Sequence, residues 1–462
     1  MSHAQPPPPP PPPPPQFNAD LPHHNRPRLR PVRGFPLQAQ SPDGKTVTLL
    51  GLADARQISD KVVATSPAAQ LILPKMDGTR DVDTIVAEVG KGLTRPFLEG
   101  LIAQLDDAGL IEGPTFDAML AKVREQFDAS DHLPPASTAV FVDQILAQHL
   151  GRAPTDADRD EHGPARLRAI LDTFIERVLK DAANPSLATL PKAIIAPHLD
   201  YPRGWMNYAA VYGRLRGLPR PDRVIVLGTN HFGEATGVCG CDKGFSTALG
   251  DCDVDRPTLD LMRARLGDAL FACRYDHERE HSIELQIPWI QHIFGAGDSG
   301  RFVPVFAALV HDPSVNNGES YDGKGVALQP FVDALKEAIA TLPGRTLIVS
   351  SADLSHVGPA FGDQKRLIGD DPRAEPPQDV RDLRDGVIRH DQEMLELIKQ
   401  NKPAELVAAM AWQQNPTRWC STGNIVAALM ATAPAQVELF NYSAAIDAQG
   451  MAMVSSAALA IY

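Results

Sequence analysis

The sequence predicts an α/β fold, with a mostly parallel sheet covered by helices on both faces. Three observations carry this. From Pro191 to Tyr462, short continuous apolar runs alternate with longer helical patterns, as happens where strands are buried on both faces and joined by helices. Hydrophobic residues make up 43% of the 462 and charged residues 22%, the composition of a globular chain with a sizeable core. No apolar run reaches the roughly 18 residues of a membrane-spanning helix. The length exceeds one ordinary domain, so a smaller unit is expected ahead of the sheet.

Residues 1–27 open with MSHAQ and ten prolines, Pro6 to Pro15. Such a run favours extended polyproline II without a packed core. A disordered arm is expected, serving as a spacer or as a ligand for a proline-binding module. The arm lacks the apolar centre of an export signal, and five cysteines in so long a chain do not read as a disulfide framework. A reducing cytoplasm is the expected setting.

Residues 28–115 read as a small α+β module. KTVTLLGL alternates as a strand, and SPAAQLILPKMDG and DVDTIVAEVG read as helices stopped by Asp77-Gly78 and by Gly90. RPFLEGLIAQLDDAGLIEG carries Phe97, Leu101 and Leu105 at helical spacing before Gly109. Three short helices with a terminal strand resemble a winged-helix or PqqD-like peptide-binding module. A structural or regulatory domain would use the same packing chemistry. Residues 116–190 read as a helical connector, amphipathic in ARLRAILDTFIERVLK (165–180) and polar and turn-rich in PTDADRDEHGP.

Residues 191–462 form a self-contained alternation. Its strands are KAIIAP, DRVIVLG, RFVPVFAAL and RTLIVSSA; its helices fit WMNYAAVYGRL, HSIELQIPWIQHIF, PFVDALKEAIATL, DQEMLELIKQ and GNIVAALMAT. In an open α/β sheet, ligands bind beyond the carboxyl ends of the strands, and there the residues are distinctive. KAIIAPHLDYPRG leaves its strand at His198 and crowds Asp200, Tyr201 and Arg203 beside it. DRVIVLGTNH ends at His231, and RTLIVSSADLSH delivers Asp353 and, three residues on, His356. One histidine so placed is ordinarily structural. Three at equivalent strand ends predict a shared rim.

In DHEREHSIELQIPW, His281 and Glu284 share a face if the segment is helical, with capping or simple exposure as the alternative. RWCSTGNIVAALMA sets Cys420 just ahead of a helix, whose N-terminus stabilises a thiolate. The remaining cysteines, Cys239, Cys241, Cys252 and Cys273, have a spacing that matches no common zinc module.

Five stretches, IIAPHLDYPRGW, VIVLGTNHFG, EHSIELQIPW, SSADLSHVGPAFGD and WCSTGN, occur in this order. Together they resemble the Memo family, in particular its bacterial branch known as AmmeMemoRadiSam system protein B. The resemblance spans residues 191–462 and implies the fold of the class III non-haem iron extradiol dioxygenases. Carried over residue by residue, it implies metal ligands at His198, His231 and Cys420. It sets Asp353 and His356 at the family's acidic and histidine positions beside the metal, and His281 at its pocket histidine. Eukaryotic members continue with glycines after the first histidine, whereas this chain has HLDYPRG, so Asp200 and Arg203 make a more charged wall. Iron(II) is the implied cofactor, with copper or zinc compatible with two imidazoles and a thiolate. His356 or His281 would move protons, and Asp353 would orient one of them. The branch's name associates it with a radical-SAM protein and an AMMECR-type protein.

Charge narrows the partners. A net charge of −13, from 44 Lys and Arg against 57 Asp and Glu, argues against nucleic acid, whose phosphates require a basic face. The local basic run NRPRLRPVRG lies in a proline-rich stretch and reads as solvated. Two function classes follow. One is a metal-dependent, dioxygenase-like oxidoreductase acting on a small molecule or a modified macromolecule. The other is a binding or scaffolding protein that holds a peptide or partner in the same pocket. Metal buffering is a third.

Overall fold

The computed structural model describes residues 13–40, 44–90, 92–369 and 375–462. The chain divides into two compact units, one ending at Ala129 and one beginning at Ser130. The divisions expected at 115 and 190 are therefore displaced. Most of the proline run lies outside the described residues.

After a one-turn helix, Pro22–Asn25, the first unit forms an antiparallel sheet of β1 (Val32–Gln40), β2 (Thr46–Asp54) and β3 (Val62–Thr65). Helices Val82–Val89, Arg95–Asp107 and Pro114–Ala129 follow. SPAAQLILPKMDG forms two 3₁₀ turns in place of the expected helix, because Pro74 lacks the N–H that an α-helix interior needs. The strand expected after Gly109 is reduced to a bridge between Leu29 and Ile111, so the strands lead the helices instead of following them. The second half of the expected arm is ordered. Phe17 stacks on the buried His24 and, with Leu29, packs against the unit's apolar core. Nor is the basic run solvated throughout, since buried Arg30 donates to Gly109 O at 2.7 Å and to Asp54 at 3.2 Å.

The second unit contains β4 (His132–Leu133), β5 (Ala193–Ala196), β6 (Arg223–Thr229), β7 (Cys239–Gly240), β8 (Gly244–Thr247), β9 (Gly250–Cys252) and β10 (Val305–Val310). It continues with β11 (Thr346–Ser351), β12 (Asp353–Val357), β13 (Val437–Ile446) and β14 (Met453–Ile461). Among the described residues the large sheet runs β12-β14-β5-β11-β6-β10-β7, with β13 beside β14. Only β5, β11, β6 and β10 run parallel; β7, β12, β13 and β14 join antiparallel. The expected mostly parallel sheet is thus a mixed sheet with a parallel centre. That centre reads as continuous apolar runs because both faces are covered. Ile195, Ile225, Phe306 and Ile348 pack with helices Leu328–Thr341 and Thr422–Thr432, and the alternating residues Ile194, Val226 and Val349 are equally buried.

The connector belongs to this unit. PTDADRDEHGP is helical, not turn-rich, because Thr155 and Asp158 form a reciprocal capping box that starts helix Asp156–Leu179. This helix packs against Tyr201–Tyr212, closely enough that a Cβ on Gly213 would lie 2.7 Å from Ile175. Among the described residues no helix is long and apolar enough to cross a membrane.

Candidate metal centre

In the sheet β11 lies between β5 and β6, so β5 and β6 leave a gap that a later strand fills. Such a switch point opens a crevice at the carboxyl ends. His198, Asp353 and His231 follow these three neighbouring strands and meet there.

His198 is 2% exposed. Its Nδ1 lies 3.0 Å from Ser351 O and donates to it, which leaves the Nε2 lone pair facing Cys420 Sγ at 3.4 Å. His231 donates Nδ1 to the Glu280 carboxylate, at 3.0 and 3.2 Å, and its backbone N–H reaches the same group at 2.9 Å. That leaves the rest of the ring to meet Cys420, with which it also hydrogen-bonds. Ligand atoms of His198, His231 and Cys420 lie within 4.8 Å of one another. Two imidazoles, each held in one tautomer by an acceptor behind it, together with a facing sulfur, fit a soft or borderline divalent metal.

The surrounding elements fix these donors. Asn424, in helix Thr422–Thr432, donates to Ser351 O and, at 3.3 Å, to Thr229 Oγ1, joining the ends of β11 and β6. Thr229 Oγ1 lies 3.0 Å from Ser421 Oγ, which is 3.1 Å from Cys420 Sγ. Ahead of Cys420 the backbone is strained: Gln414, Asn415 and Arg418 all have positive φ, at 58°, 46° and 58°. Asn415 holds this turn by bonding the Trp419 N–H at 2.7 Å and Trp419 O at 2.8 Å. Arg418 donates Nε to His356 O at 2.8 Å and pairs with Asp363.

Asp353 accepts the His198 backbone N–H at 3.0 Å, and its second oxygen lies 3.7 Å from His198 Nε2. It therefore braces His198, not His356 or His281 as expected. Burial pushes its carboxyl up to about 7. SSADLSH does not turn helically: it forms β12, with a pairing irregularity between Asp353 and His356. His356 Nδ1 lies 3.0 Å from Leu354 O and the ring meets Phe361 edge-on; burial pulls its pKa down to about 4.

His281 stacks on His231, with centroids 4.9 Å apart, and meets His198 edge-on at 5.6 Å. Burial lowers the pKa values of His281 and, more strongly, His198. Burial would also lower His231, but the charge of Glu280 and then the hydrogen bond with Cys420 raise it well above its ordinary value.

Glu284 does not join the site. It accepts the N–H groups of Ala136 (2.9 Å), Ser137 (3.0 Å) and Thr138 (2.8 Å) and the Thr138 hydroxyl (2.5 Å), capping helix Ser137–Leu150. The residue that sequence reasoning missed is Glu280. Burial alone would raise its carboxyl, but His231 and His281 hold it down at about 2. Its position directly before His281 was the available signal.

A second group of possible ligands, His23, His24 and Asp106, lies in the first unit. There the Asn18 N–H donates to His24 Nδ1 at 3.0 Å, so Nε2 carries the proton and donates to Asp106 at 3.1 Å. His24 has no lone pair left for a metal and acts as a clasp on the chain. Cys239, Cys241 and Cys252 are buried, and among the described residues they join no such group. Burial pushes the thiols of Cys241 and Cys252 up to about 12.

The model of a family described as Memo-like protein matches residues 163–460. A MEMO1 family protein of Methanopyrus kandleri is 30% identical over 187 residues, which is 40% of this chain and 59% of the relative. A MEMO1 family protein of Thermus thermophilus is 28% identical over 256 residues, 55% of this chain and 65% of the relative. One from Aquifex aeolicus is 26% identical over 310 residues, 66% of this chain and 71% of the relative. The aligned part thus spans less than two thirds of the first two relatives. With the matched region running from the connector to β14 and enclosing the whole centre, the chain belongs to the Memo-like protein family.

Proposed function

We propose that the centre binds one iron(II) through His198, His231 and Cys420 and serves as a metal-dependent, dioxygenase-like oxidoreductase. The observation that carries this reading is the convergence of two imidazole Nε2 atoms on one sulfur, each imidazole backed by an acceptor at Nδ1. Copper and zinc suit the same donors. When bound by His198, His231 and Cys420, the metal would supply Lewis acidity and electron transfer.

The chain's own residues do the rest. Glu280 stays ionised and orients His231. Asp353, buried and 3.7 Å from His198 Nε2, is placed to hold or release a proton there. His356 remains neutral there and can accept one. His198, Asp353 and Glu280 form a buried floor, while His231, His281 and Cys420 keep partial exposure on the side open to substrate. The resemblance to the bacterial branch implies a pathway shared with a radical-SAM and an AMMECR-type protein, which we place in the cytoplasm.

Binding of a peptide or partner without turnover is the second reading. A cavity of about 540 Å³ lined by Val140, Phe141, Asp200, Tyr201, Arg203 and Leu285 would seat such a partner, though it includes none of His198, His231 and Cys420 and so is not the metal pocket itself. The test is oxygen uptake by anaerobically iron-loaded protein given ascorbate. Uptake should exceed that of free iron, and His356→Ala should keep its metal while slowing uptake by roughly 10²–10⁴-fold. Metal-loaded wild-type protein with no uptake above free iron would overturn the oxidoreductase reading in favour of binding.

A further inference from the structure

We infer that Asp391 is a positioning residue of the metal centre, its buried carboxylate fixing the two segments that carry Cys420 and Asp353–His356. The inference rests on His198, His231 and Cys420 being the metal ligands. Asp391 lies in helix Gln378–Lys399 and is 0% exposed. Its Oδ1 accepts Ser355 Oγ at 2.5 Å and Trp419 Nε1 at 2.7 Å; its Oδ2 accepts the Tyr442 hydroxyl at 2.6 Å and Ser455 Oγ at 2.5 Å. Ser355 stands between Asp353 and His356 on β12, and Trp419 immediately precedes Cys420.

All four partners donate. An indole N–H can only donate, and Ser455 Oγ already accepts the Ser355 N–H at 2.9 Å, so its proton goes to Asp391. A carboxylate, which only accepts, meets all four donors; an amide would turn a donor towards a donor. Burying a charge is costly, and apolar side chains of similar volume often stabilise a core better. What this charge contributes instead is geometry, through four charge-assisted bonds. The geometry matters here because the turn before Cys420 runs through three positive-φ residues and relies on side-chain ties. That turn is also zipped to β12: the His356 N–H bonds Thr417 O at 2.7 Å, and Arg418 returns a bond to His356 O. One carboxylate behind the site therefore sets the thiolate and the acid–histidine strand together.

Cobalt(II) titration of the full-length protein tests this, because a sulfur-to-cobalt charge-transfer band reports thiolate ligation and the same titration gives the affinity. Asp391→Asn should bind cobalt roughly 10- to 100-fold more weakly, as is typical when an outer partner of a ligand is lost, with a weakened or shifted band. Trp419→Phe keeps the carboxylate and an aromatic ring but removes the indole donor to Asp391 and Ser355, along with part of the buried ring. It should alter the band in the same way, and it decides the matter if Asp391→Asn does not fold. Tyr442→Phe removes a donor from the other oxygen and should keep the wild-type band and affinity. Unchanged band and affinity in Trp419→Phe would overturn the positioning role. So would an equal loss in Tyr442→Phe, the mark of a general loss of stability. A wild-type protein without a sulfur–cobalt band would overturn the ligand set itself.

Discussion

Glu280 shows how one buried carboxylate can decide the state of a histidine. It takes both the backbone N–H and the Nδ1 proton of His231 and lies 3.4 Å from His281 Nδ1. Its charge strengthens His231 as a donor on the metal side. Glu280→Gln should leave all three ligands in place yet weaken metal binding by roughly 10- to 100-fold, measured by competition with a chelator of known affinity. Unchanged affinity would mean that the Ser351 carbonyl and the strand ends suffice. At this scale the gathering of His198, His231 and Cys420 was legible in the sequence, because they stand where apolar strands stop or a helix starts; the ligand role itself came from the family resemblance. Their supports were not. Glu280 meets His231 across 49 residues of chain, and Asn424 reaches Ser351 across 73; a single sequence carries no sign of such pairings. Asp353 was legible as a site residue but assigned the wrong neighbour, because its contact is with the backbone of His198.

Helix Ser137–Leu150 has no cap of its own, since Ala136 precedes it, and it borrows Glu284 from the segment after His281. Glu284→Ala would leave these N–H groups without their acceptor and should destabilise the protein by about 3 kcal/mol, the order expected for lost bonds to a buried charge. Glu284→Gln, which keeps one acceptor oxygen, should cost less. Thermal or urea unfolding reads both, and equal stability of wild type and Glu284→Ala would show that water replaces the cap. Element prediction succeeded where strands are buried on both faces, as in AIIA and RVIVLGT. It failed for the hairpin of β13 and β14, whose Ala- and Ser-rich segments NYSAAI and MVSSAALAI carry little strand propensity. HSIELQIPWIQHIF, expected as one helix, divides into His281–Glu284 and Ile287–Phe294, with Pro288 in the first turn of the second.

At the scale of the molecule, the expectation that residues 191–462 stand alone is revised. Removing residues 130–190 strips Glu284 of its partners and uncovers the face of Tyr201–Tyr212 that helix Asp156–Leu179 packs against. A fragment of residues 130–462 should therefore unfold cooperatively, whereas 191–462 should be unfolded or aggregated; circular dichroism with a melting curve distinguishes them, and two equally cooperative fragments would contradict the account. The true division at 129/130 was hidden in the sequence because helices Pro114–Ala129 and Ser137–Leu150 flank it with only a short break. The fold's central consequence remains the meeting of three strand ends and one helix start at a single point, and counting metal tests it most directly. Anaerobic reconstitution with iron(II), followed by desalting and elemental analysis, should give about one ion per wild-type chain by the site's single set of three donors. His198→Ala, His231→Ala and Cys420→Ser should stay folded and lose most of it. Full stoichiometry in all three variants would contradict the account.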